Sequence, residues 1–262
     1  MSDRGAGARD GSPSAGRPVL VVEHEAQCPP AWFGDWMVDA GAQLDVRQPW
    51  RGQALPESLT GHAGLLVLGG SMGAADDADH PWLPATRALL RQASDAGVPT
   101  LGICLGHQLL ARATGGRIDR HVAGRHCALS PVGWTAEAPA DPLFGPLATS
   151  WPDYDEAVAV HWNVDVVSSP PPGAVALAYA SNGSLQVMRV APAAWGIQSH
   201  PEVGARILGE WAADEPPEDT RAHALVAAAE AAEPRLRAAW QPLAVGFAAV
   251  CRRFAAAAPG AA

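Results

Sequence analysis

The sequence predicts a doubly wound α/β fold in which a mostly parallel sheet is flanked by helices. Continuous apolar runs with β-branched residues, typical of strands buried on both faces, occupy residues 18–23, 64–68 and 98–103. Helical patterns with one apolar face lie between them, at residues 30–40 and 82–96. Because strands and helices alternate, the parallel α/β arrangement follows.

Composition excludes several classes of partner. The chain has 262 residues with 18 basic and 27 acidic side chains, so its formal net charge is −9 with histidine neutral. The basic side chains are all arginine and are scattered, whereas phosphate binding needs a concentrated basic surface. No segment approaches the roughly 18 uninterrupted apolar residues of a membrane helix. We therefore expect neither nucleic acid nor membrane as a partner.

The composition also predicts how the chain is divided. Residues 1–17 are mainly Gly, Ser, Ala, Asp and Arg, without the apolar segment of a secretory signal, so they predict a disordered tail and a cytoplasmic location. Residues 18–213 are predicted to form one α/β domain. An Ala-rich helical extension is predicted over residues 219–258.

Beyond residue 116 the pattern changes to shorter strand candidates separated by Pro, Gly and Asn. These candidates lie at residues 128–132, 157–161, 174–179, 185–190 and 194–198. We interpret this half as a β-rich continuation of the same sheet. A helix is predicted over residues 203–213, and the proline pair at residues 216–217 ends it.

The C-terminal extension carries one apolar stripe. Its members follow one another at intervals of four and three residues: Leu236, Trp240, Leu243, Phe247, Val250 and Phe254. Packing on the chain's own domain is the favoured interpretation, because six large apolar groups in water would form a patch that monomers rarely carry. A partner-binding helix is the alternative. Pro242 is predicted to kink this helix.

The most informative motif surrounds Cys104. A predicted strand runs into Gly-Ile-Cys-Leu-Gly at residues 102–106 and then directly into a helix, which is the strand-turn-helix elbow of a catalytic nucleophile with Cys in the place of Ser. A helix N-terminus beside the sulfur favours the thiolate. Burial as a small apolar side chain is the ordinary role of a free cysteine, and we assign it to Cys28, Cys127 and Cys251. Their spacing indicates neither a disulfide scaffold nor a metal site.

A cysteine nucleophile needs a base, and the base needs a group that orients it. His200 ends a predicted strand, and Glu202 follows it across a proline, so Glu202 could hold the imidazole's second N–H. His161 is the competing base. The N–H of Leu105 and a Gly-rich loop at residues 69–73 could bind a developing oxyanion. That loop lacks the Lys-Ser/Thr ending of a phosphate-binding loop, so no nucleotide cofactor is expected.

The motifs at residues 69–73, 102–108 and 200–202 together resemble those of the class I, or triad, glutamine amidotransferases. The likeness is to stand-alone members similar to the glutaminase domain of GMP synthase, and it runs from about residue 19 to about residue 212. It implies that Cys104 attacks the glutamine carboxamide, forming a γ-glutamyl thioester and ammonia, and that water activated by His200 releases glutamate. It further implies that Gly70 and Leu105 donate the oxyanion N–H groups and that Gln108 contacts substrate.

Two departures leave alternatives open. Ser71 stands where family loops often have proline, and only about 60 residues of Ala-rich helix follow Glu202 in place of a synthetase domain. Either a separate synthetase subunit takes the ammonia, or the chain hydrolyses a γ-glutamyl peptide or amine in place of glutamine. A non-catalytic binding module that retains the fold is a third possibility. His161 and Asp165 lie in a further family-like segment without an assigned role.

Overall fold

The computed structural model describes residues 16–122, 124–151, 158–216 and 218–257. Residues 1–15, which make up most of the predicted tail, lie outside the described residues. Within the described ranges, no helix is long and apolar enough to cross a membrane.

Twelve strands and six α-helices make up the described chain. The strands are β1 Val19–Val22, β2 Leu44–Arg47, β3 Gly64–Val67, β4 Thr100–Ile103, β5 Arg117–Arg120, β6 His126–Pro131, β7 Gly133–Trp134, β8 Val158–Asn163, β9 Asp165–Ser169, β10 Val175–Tyr179, β11 Leu185–Ala191 and β12 Ala194–Ile197. The helices are α1 Ala31–Asp39, α2 Leu83–Ala96, α3 Leu105–Ala113, α4 Gly145–Ser150, α5 Ala205–Ala213 and α6 Thr220–Ala257.

Eight strands form the central sheet, in the order β2-β1-β3-β4-β12-β11-β10-β7. The strands from β2 to β12 pair in parallel, and β11, β10 and β7 add antiparallel strands beyond β12. The prediction of a mostly parallel sheet flanked by helices is confirmed. The apolar runs that predicted β1, β3 and β4 are buried along their whole length, as strands covered on both faces must be.

The interpretation of the second half as a continuation of this sheet is wrong for two of its strand candidates. The candidate at residues 128–132 is β6, and the one at residues 157–161 is β8; these two strands pair with each other in a separate two-stranded sheet. Both strands contact α6, so the helix, and not the edge of the central sheet, covers their apolar side chains. Strands β5 and β9 form another separate pair.

Helix α6 is the longest element, with 38 residues. Leu236, Trp240, Leu243 and Phe247 are each at most 2% exposed, while Val250 and Phe254 are partly buried. The buried face contacts α1, α5, β6 and β8. The helix runs without interruption through Pro234 and Pro242. The kink at Pro242 and the division of the chain at residues 213 and 219 stay predictions.

Candidate active site

Cys104 occupies a tight turn between β4 and α3. Its φ is 50° and its ψ is −104°. Among the described residues, Cys104 is one of two non-glycine residues with a positive φ. The turn leaves no room for neighbouring side chains, because a Cβ on Gly102 would meet the backbone of Gly106, and a Cβ on Gly106 would meet the carbonyl of Val67. The Cys104 N–H donates to the carbonyl of Ile197 at 2.8 Å, which ties the turn to β12. The elbow predicted from the glycines is confirmed in this geometry.

His200 and Glu202 lie three and five residues beyond the end of β12, beside the elbow. The His200 Nδ1 atom is 2.7 Å from Glu202 Oε1, and both residues are almost fully buried. The backbone N–H of His200 donates to the carbonyl of Val160 at 2.8 Å. The imidazole lies beside Cys104, because a Cβ on Gly69 would meet both His200 Cε1 and Cys104 Cβ within 4 Å. The structure therefore brings together the three residues that the sequence analysis singled out.

The environment of His200 favours its charged form. Burial by itself lowers the pKa of the imidazole, but the charges of Glu202 and Cys104 and the hydrogen bonds to both outweigh burial. The net effect raises the pKa of His200 well above the ordinary value of 6.5. The charged imidazole is paired with Glu202 through Nδ1.

His161, the competing base, has a different environment. It lies on β8, is 1% exposed and stacks on His126 with ring centroids 4.3 Å apart. Burial lowers its pKa well below 6.5, and the neighbouring His126 and His200 lower it further. The geometry favours His200 as the partner of Cys104.

Glu25 holds the Gly-rich loop beside the elbow. The Ser71 N–H donates to Glu25 Oε1 at 2.9 Å, and the Ser71 hydroxyl donates to Glu25 Oε2 at 2.6 Å. A proline at position 71 would lack both donors. The serine therefore fastens the loop, and Gly70 lines the same cavity as Cys104. Leu105 begins α3, so its N–H has no partner within the helix and is available at the elbow.

Two glutamines form a chain of hydrogen bonds that ends at the sulfur of Cys104. Gln108, which is 4% exposed, donates from Nε2 to the Asp165 carbonyl at 2.9 Å and to Gln198 Oε1 at 3.3 Å. Gln198 Nε2 in turn lies 3.6 Å from Cys104 Sγ. Sequence reasoning singled out Gln108 and missed Gln198, whose one signal was its position two residues before His200.

Two cavities open at Cys104. The first, the histidine-side cavity, has a volume of about 190 Å³ and is lined by Glu25, Gln27, Cys28, Gly70, Ser71, Cys104, Trp162, His200, Trp211, Asp214 and Glu215. The second, the arginine-side cavity, has a volume of about 430 Å³. Its lining shares Gly70, Ser71, Cys104, Trp162 and Glu215 with the first and adds Met72, Gly73, Asp76, Gln108, Arg120, Arg125, Asn163, Val164 and Asp165. Cys104 is therefore accessible from two chemically different sides.

Cys28 is buried, as the sequence suggested, and it also lines the histidine-side cavity. Its sulfur donates to Glu25 Oε1 at 3.2 Å. Burial and then the nearby charge of Glu25 raise its pKa well above 9.0. Cys28 is thus a neutral thiol. Cys104, in contrast, lies beside the charged imidazole of His200.

The sequence of the chain is similar to those of known proteins. The family model of class I glutamine amidotransferases matches residues 37–211. The chain is similar to γ-glutamyl peptidase 4 of Arabidopsis thaliana, with 30% identity over 182 residues that cover 67% of this chain and 68% of that protein. It is also 32% identical over 164 residues to a glutamine-hydrolysing GMP synthase of Aeropyrum pernix, of which the match covers only 28%.

Solved structures share the fold. A glutamine amidotransferase from Methylobacillus flagellatus superposes with a TM-score of 0.77 at 24% identity, covering 89% of this chain and 95% of that one. A glutamine amidotransferase from Thermotoga maritima gives a TM-score of 0.75, again at 24% identity, covering 88% of this chain and 97% of that one.

Proposed function

The chain belongs to the class I glutamine amidotransferase family, and from that premise we propose that it hydrolyses a γ-glutamyl amide through Cys104, His200 and Glu202. The nucleophile is the Cys104 thiolate, the acid and base is His200, and the group that orients His200 is Glu202. A γ-glutamyl thioester is the intermediate. The observation that carries the proposal is the buried 2.7 Å contact between His200 and Glu202, with His200 and Cys104 lining the same cavity at the elbow.

The first half of the reaction forms the thioester. The Cys104 sulfur attacks the amide carbon, and its electron pair forms the carbon–sulfur bond while the carbonyl oxygen takes up negative charge. The N–H groups of Gly70 and Leu105 donate to that oxygen. His200 gives its proton to the amide nitrogen, the carbon–nitrogen bond breaks, and the amine, or ammonia from glutamine, leaves as a neutral molecule.

The second half restores the enzyme. Neutral His200 takes a proton from a water molecule as the water oxygen attacks the thioester carbonyl, and the carbon–sulfur bond breaks with its electrons returning to Cys104. The acyl product is glutamate, and the thiolate–imidazolium pair is formed again. Glu202 stabilises the imidazolium in both halves and keeps the ring in one orientation.

Glutamine with a separate synthetase subunit is the second candidate. It is supported by the similarity to a glutamine-hydrolysing GMP synthase subunit of Methanoculleus marisnigri, which is 35% identical over 116 residues that cover 44% of this chain and 58% of that protein. In that case the ammonia released at Cys104 would pass to the partner, and hydrolysis would depend on the partner's presence. Hydrolysis of a γ-glutamyl peptide or amine needs no partner.

Trapping of the nucleophile tests the proposal. A diazoketone analogue of glutamine is expected to alkylate Cys104 in the native chain, and peptide mass spectrometry locates the adduct. Cys104→Ser should abolish both labelling and hydrolysis, because a hydroxyl is a far weaker nucleophile in the same geometry. Cys28→Ser is the matched control, because Cys28 lines the same cavity and should be dispensable for labelling. Full labelling of the Cys104→Ser chain would overturn the assignment.

A further inference from the structure

The two cavities at Cys104 differ in the half of a substrate that each can receive. His200 lines the histidine-side cavity and is absent from the lining of the arginine-side cavity. In the reaction proposed above, His200 protonates the departing nitrogen, and proton transfer requires that the nitrogen lie within hydrogen-bond reach. The leaving amine therefore occupies the histidine-side cavity.

The arginine-side cavity suits the γ-glutamyl half. Arg120 and Arg125 line it. Arg125 is already paired with Glu215 and Asp219, whereas the Arg120 side chain is 79% exposed and can face the α-carboxylate of a γ-glutamyl group. Asn163, which is 6% exposed, lines the same cavity, and its Oδ1 atom has no hydrogen-bond partner among the described residues. A buried acceptor of this kind calls for a donor, and the α-ammonium of a γ-glutamyl group supplies one.

The histidine-side cavity is larger than ammonia requires. Its volume is about 190 Å³, whereas a water molecule, close to ammonia in size, takes up about 30 Å³ of liquid volume. The cavity thus has space for an amine that carries a chain of several carbon atoms.

The wall of this cavity is negative and aromatic. Glu25 and Asp214 line it, and among the described residues no arginine or histidine nitrogen lies within 4 Å of either carboxylate. Their polar partners are neutral: Ser71 and Cys28 donate to Glu25, and the Gln27 side chain donates to Asp214 at 3.0 Å.

Two tryptophans complete the wall. The rings of Trp162 and Trp211 lie 5.6 Å apart in an edge-to-face arrangement, and the Arg125 guanidinium already lies 5.3 Å from the centre of the Trp162 ring. The third carboxylate of the lining, Glu215, is paired with Arg125. His200 is the basic side chain in this lining, and it is paired with Glu202. Glu25 and Asp214, which have no paired cation, and the aromatic surface together favour a bound cation.

We propose that the leaving group taken by the histidine-side cavity is a cationic amine, so that the preferred substrates are γ-glutamyl amides of diamines or longer polyamines. This inference rests on the proposed γ-glutamyl hydrolysis. The amine nitrogen bonded to the γ-carbonyl lies at His200, and the second, ammonium-bearing end lies against Glu25, Asp214 and the tryptophans. A leaving group that ends in a carboxylate, as an amino acid does, would meet like charge there.

Three γ-glutamyl amides of matched length test the charge preference: those of 1,4-diaminobutane, n-butylamine and 4-aminobutyrate, with glutamine alongside. We expect kcat/KM to be about tenfold higher for the diaminobutane amide than for the butyl amide, and lowest for the aminobutyrate amide. Equal values, or a preference for the neutral or anionic amide, would overturn the proposal.

Asp214→Asn tests the origin of the preference. The substitution keeps an acceptor for the Gln27 side chain and removes one charge, so the ratio of kcat/KM for the diaminobutane amide to that for the butyl amide should fall about two- to fivefold, as expected for one exposed charge pair. Asp39→Asn is the matched control, because it makes the same change of net charge at an exposed position near the end of α1. An unchanged ratio in Asp214→Asn, or an equal fall in Asp39→Asn, would contradict the role given to this wall.

Binding to Cys104→Ala separates this inference from the proposed chemistry. The variant has no nucleophile, so calorimetry can compare the three intact amides without turnover. If the native chain hydrolyses none of them while Cys104→Ala still binds the diaminobutane amide about tenfold more tightly than the butyl amide, the proposed hydrolysis fails and the cation site stands. If the native chain hydrolyses the amides and Cys104→Ala binds all three equally tightly, the proposed hydrolysis stands and the cation site fails.

Discussion

The carboxyl edge of the central sheet and the inner face of α6 are buried to the same degree but contain different chemistry. At the sheet edge, Cys104, His200 and Glu202 are 6%, 3% and 1% exposed. Cys104 has a positive φ, and all three residues carry ionisable groups that are removed from water. On α6, Trp240 and Phe247 are 2% and 0% exposed and belong to one hydrophobic cluster.

The difference is in what burial does to the free energy of unfolding. Removing hydrocarbon from water stabilises the folded chain, so the α6 face should contribute stability. Removing charge from water and holding a residue at an unfavourable φ cost stability, so the sheet edge should contribute activity at the expense of stability. Substitutions at the two regions are expected to have opposite signatures.

The largest expected effect is the loss of activity when the base is removed. His200→Ala should lower kcat/KM for a γ-glutamyl amide by about 10³-fold or more, because both proton transfers depend on it. Glu202→Gln should cost the same or less, since an orienting group acts only through its base. Steady-state kinetics on chains shown to be folded by circular dichroism measure both.

His161→Ala is the control for the loss of an imidazole near the same sheet edge. It should leave most of the activity, because His161 lines neither cavity at Cys104. If His161→Ala destroyed hydrolysis and His200→Ala did not, the base would be assigned to the wrong histidine.

The next effect concerns stability on the other side of the comparison. Trp240→Ala and Phe247→Ala should each lower the free energy of unfolding by about 3–5 kcal/mol, the usual range for a large buried aromatic. Trp240 also donates from Nε1 to the Val158 carbonyl at 3.1 Å, so its loss leaves a buried acceptor unpaired. Urea unfolding provides the measurement.

Val245→Ala is the matched control on the same helix, because Val245 is 41% exposed and should matter little. The activity of the folded fraction should remain in all three variants. Unchanged melting of Trp240→Ala together with a lost oligomer would indicate that the α6 face binds a partner and not its own domain.

Elements with strong local signals were predictable from the sequence, and elements defined by distant pairing were not. The buried runs of β1, β3 and β4 and the apolar faces of α1 and α2 lie within one or two residues of the predicted segments. Strands β5 and β9 were missed. Strand β5 reads Arg-Ile-Asp-Arg, is largely exposed, and finds its partner 45 or more residues away, so neither its hydrophobicity nor its neighbours indicate a strand.

The site was predictable where chemistry and backbone geometry share a motif. The glycines around Cys104 and the proline between His200 and Glu202 belong to short contiguous motifs, which the sequence shows directly. The roles of Glu25 and Gln198 could not be predicted, because each depends on a side-chain contact with a residue far away in the sequence. The oxyanion roles of Gly70 and Leu105 stay predictions.

A smaller effect comes from His107, a histidine that is buried on α3 against Gly196 of β12. Burial lowers the pKa of His107 from 6.5 to about 4. Below pH 6.5 the unfolded chain takes up this proton and the folded chain does not, so the stability from the neutral ring is present above pH 6.5 and is lost as the pH falls. Between pH 7 and pH 5 the loss should be about 2 kcal/mol.

His107→Gln should remove that part of the pH dependence. Urea unfolding at pH 7 and pH 5 gives the difference for each chain, and the exposed His223→Gln serves as the control for losing a surface imidazole. His200 contributes in the opposite sense, because its raised folded pKa stabilises the chain below pH 6.5 and that stability is lost as the pH rises through the folded pKa. A His107→Gln chain with the native pH dependence would contradict the prediction.

The smallest expected effect tests whether the elbow stores backbone strain. At the φ of 50° that Cys104 adopts, any Cβ is disfavoured by about 1–2 kcal/mol, and glycine is not. Cys104→Ala keeps the Cβ and loses the sulfur, whereas Cys104→Gly also relieves the strain, so the Gly variant should be the more stable of the two by about 1 kcal/mol. In an ordinary helix the sign is reversed, and Ala88→Gly on the exposed side of α2 should cost about 1 kcal/mol. Urea unfolding of the three variants measures the contrast. A Gly variant at position 104 that is less stable than the Ala variant, by the amount lost in Ala88→Gly, would mean that the sheet edge holds its nucleophile without strain.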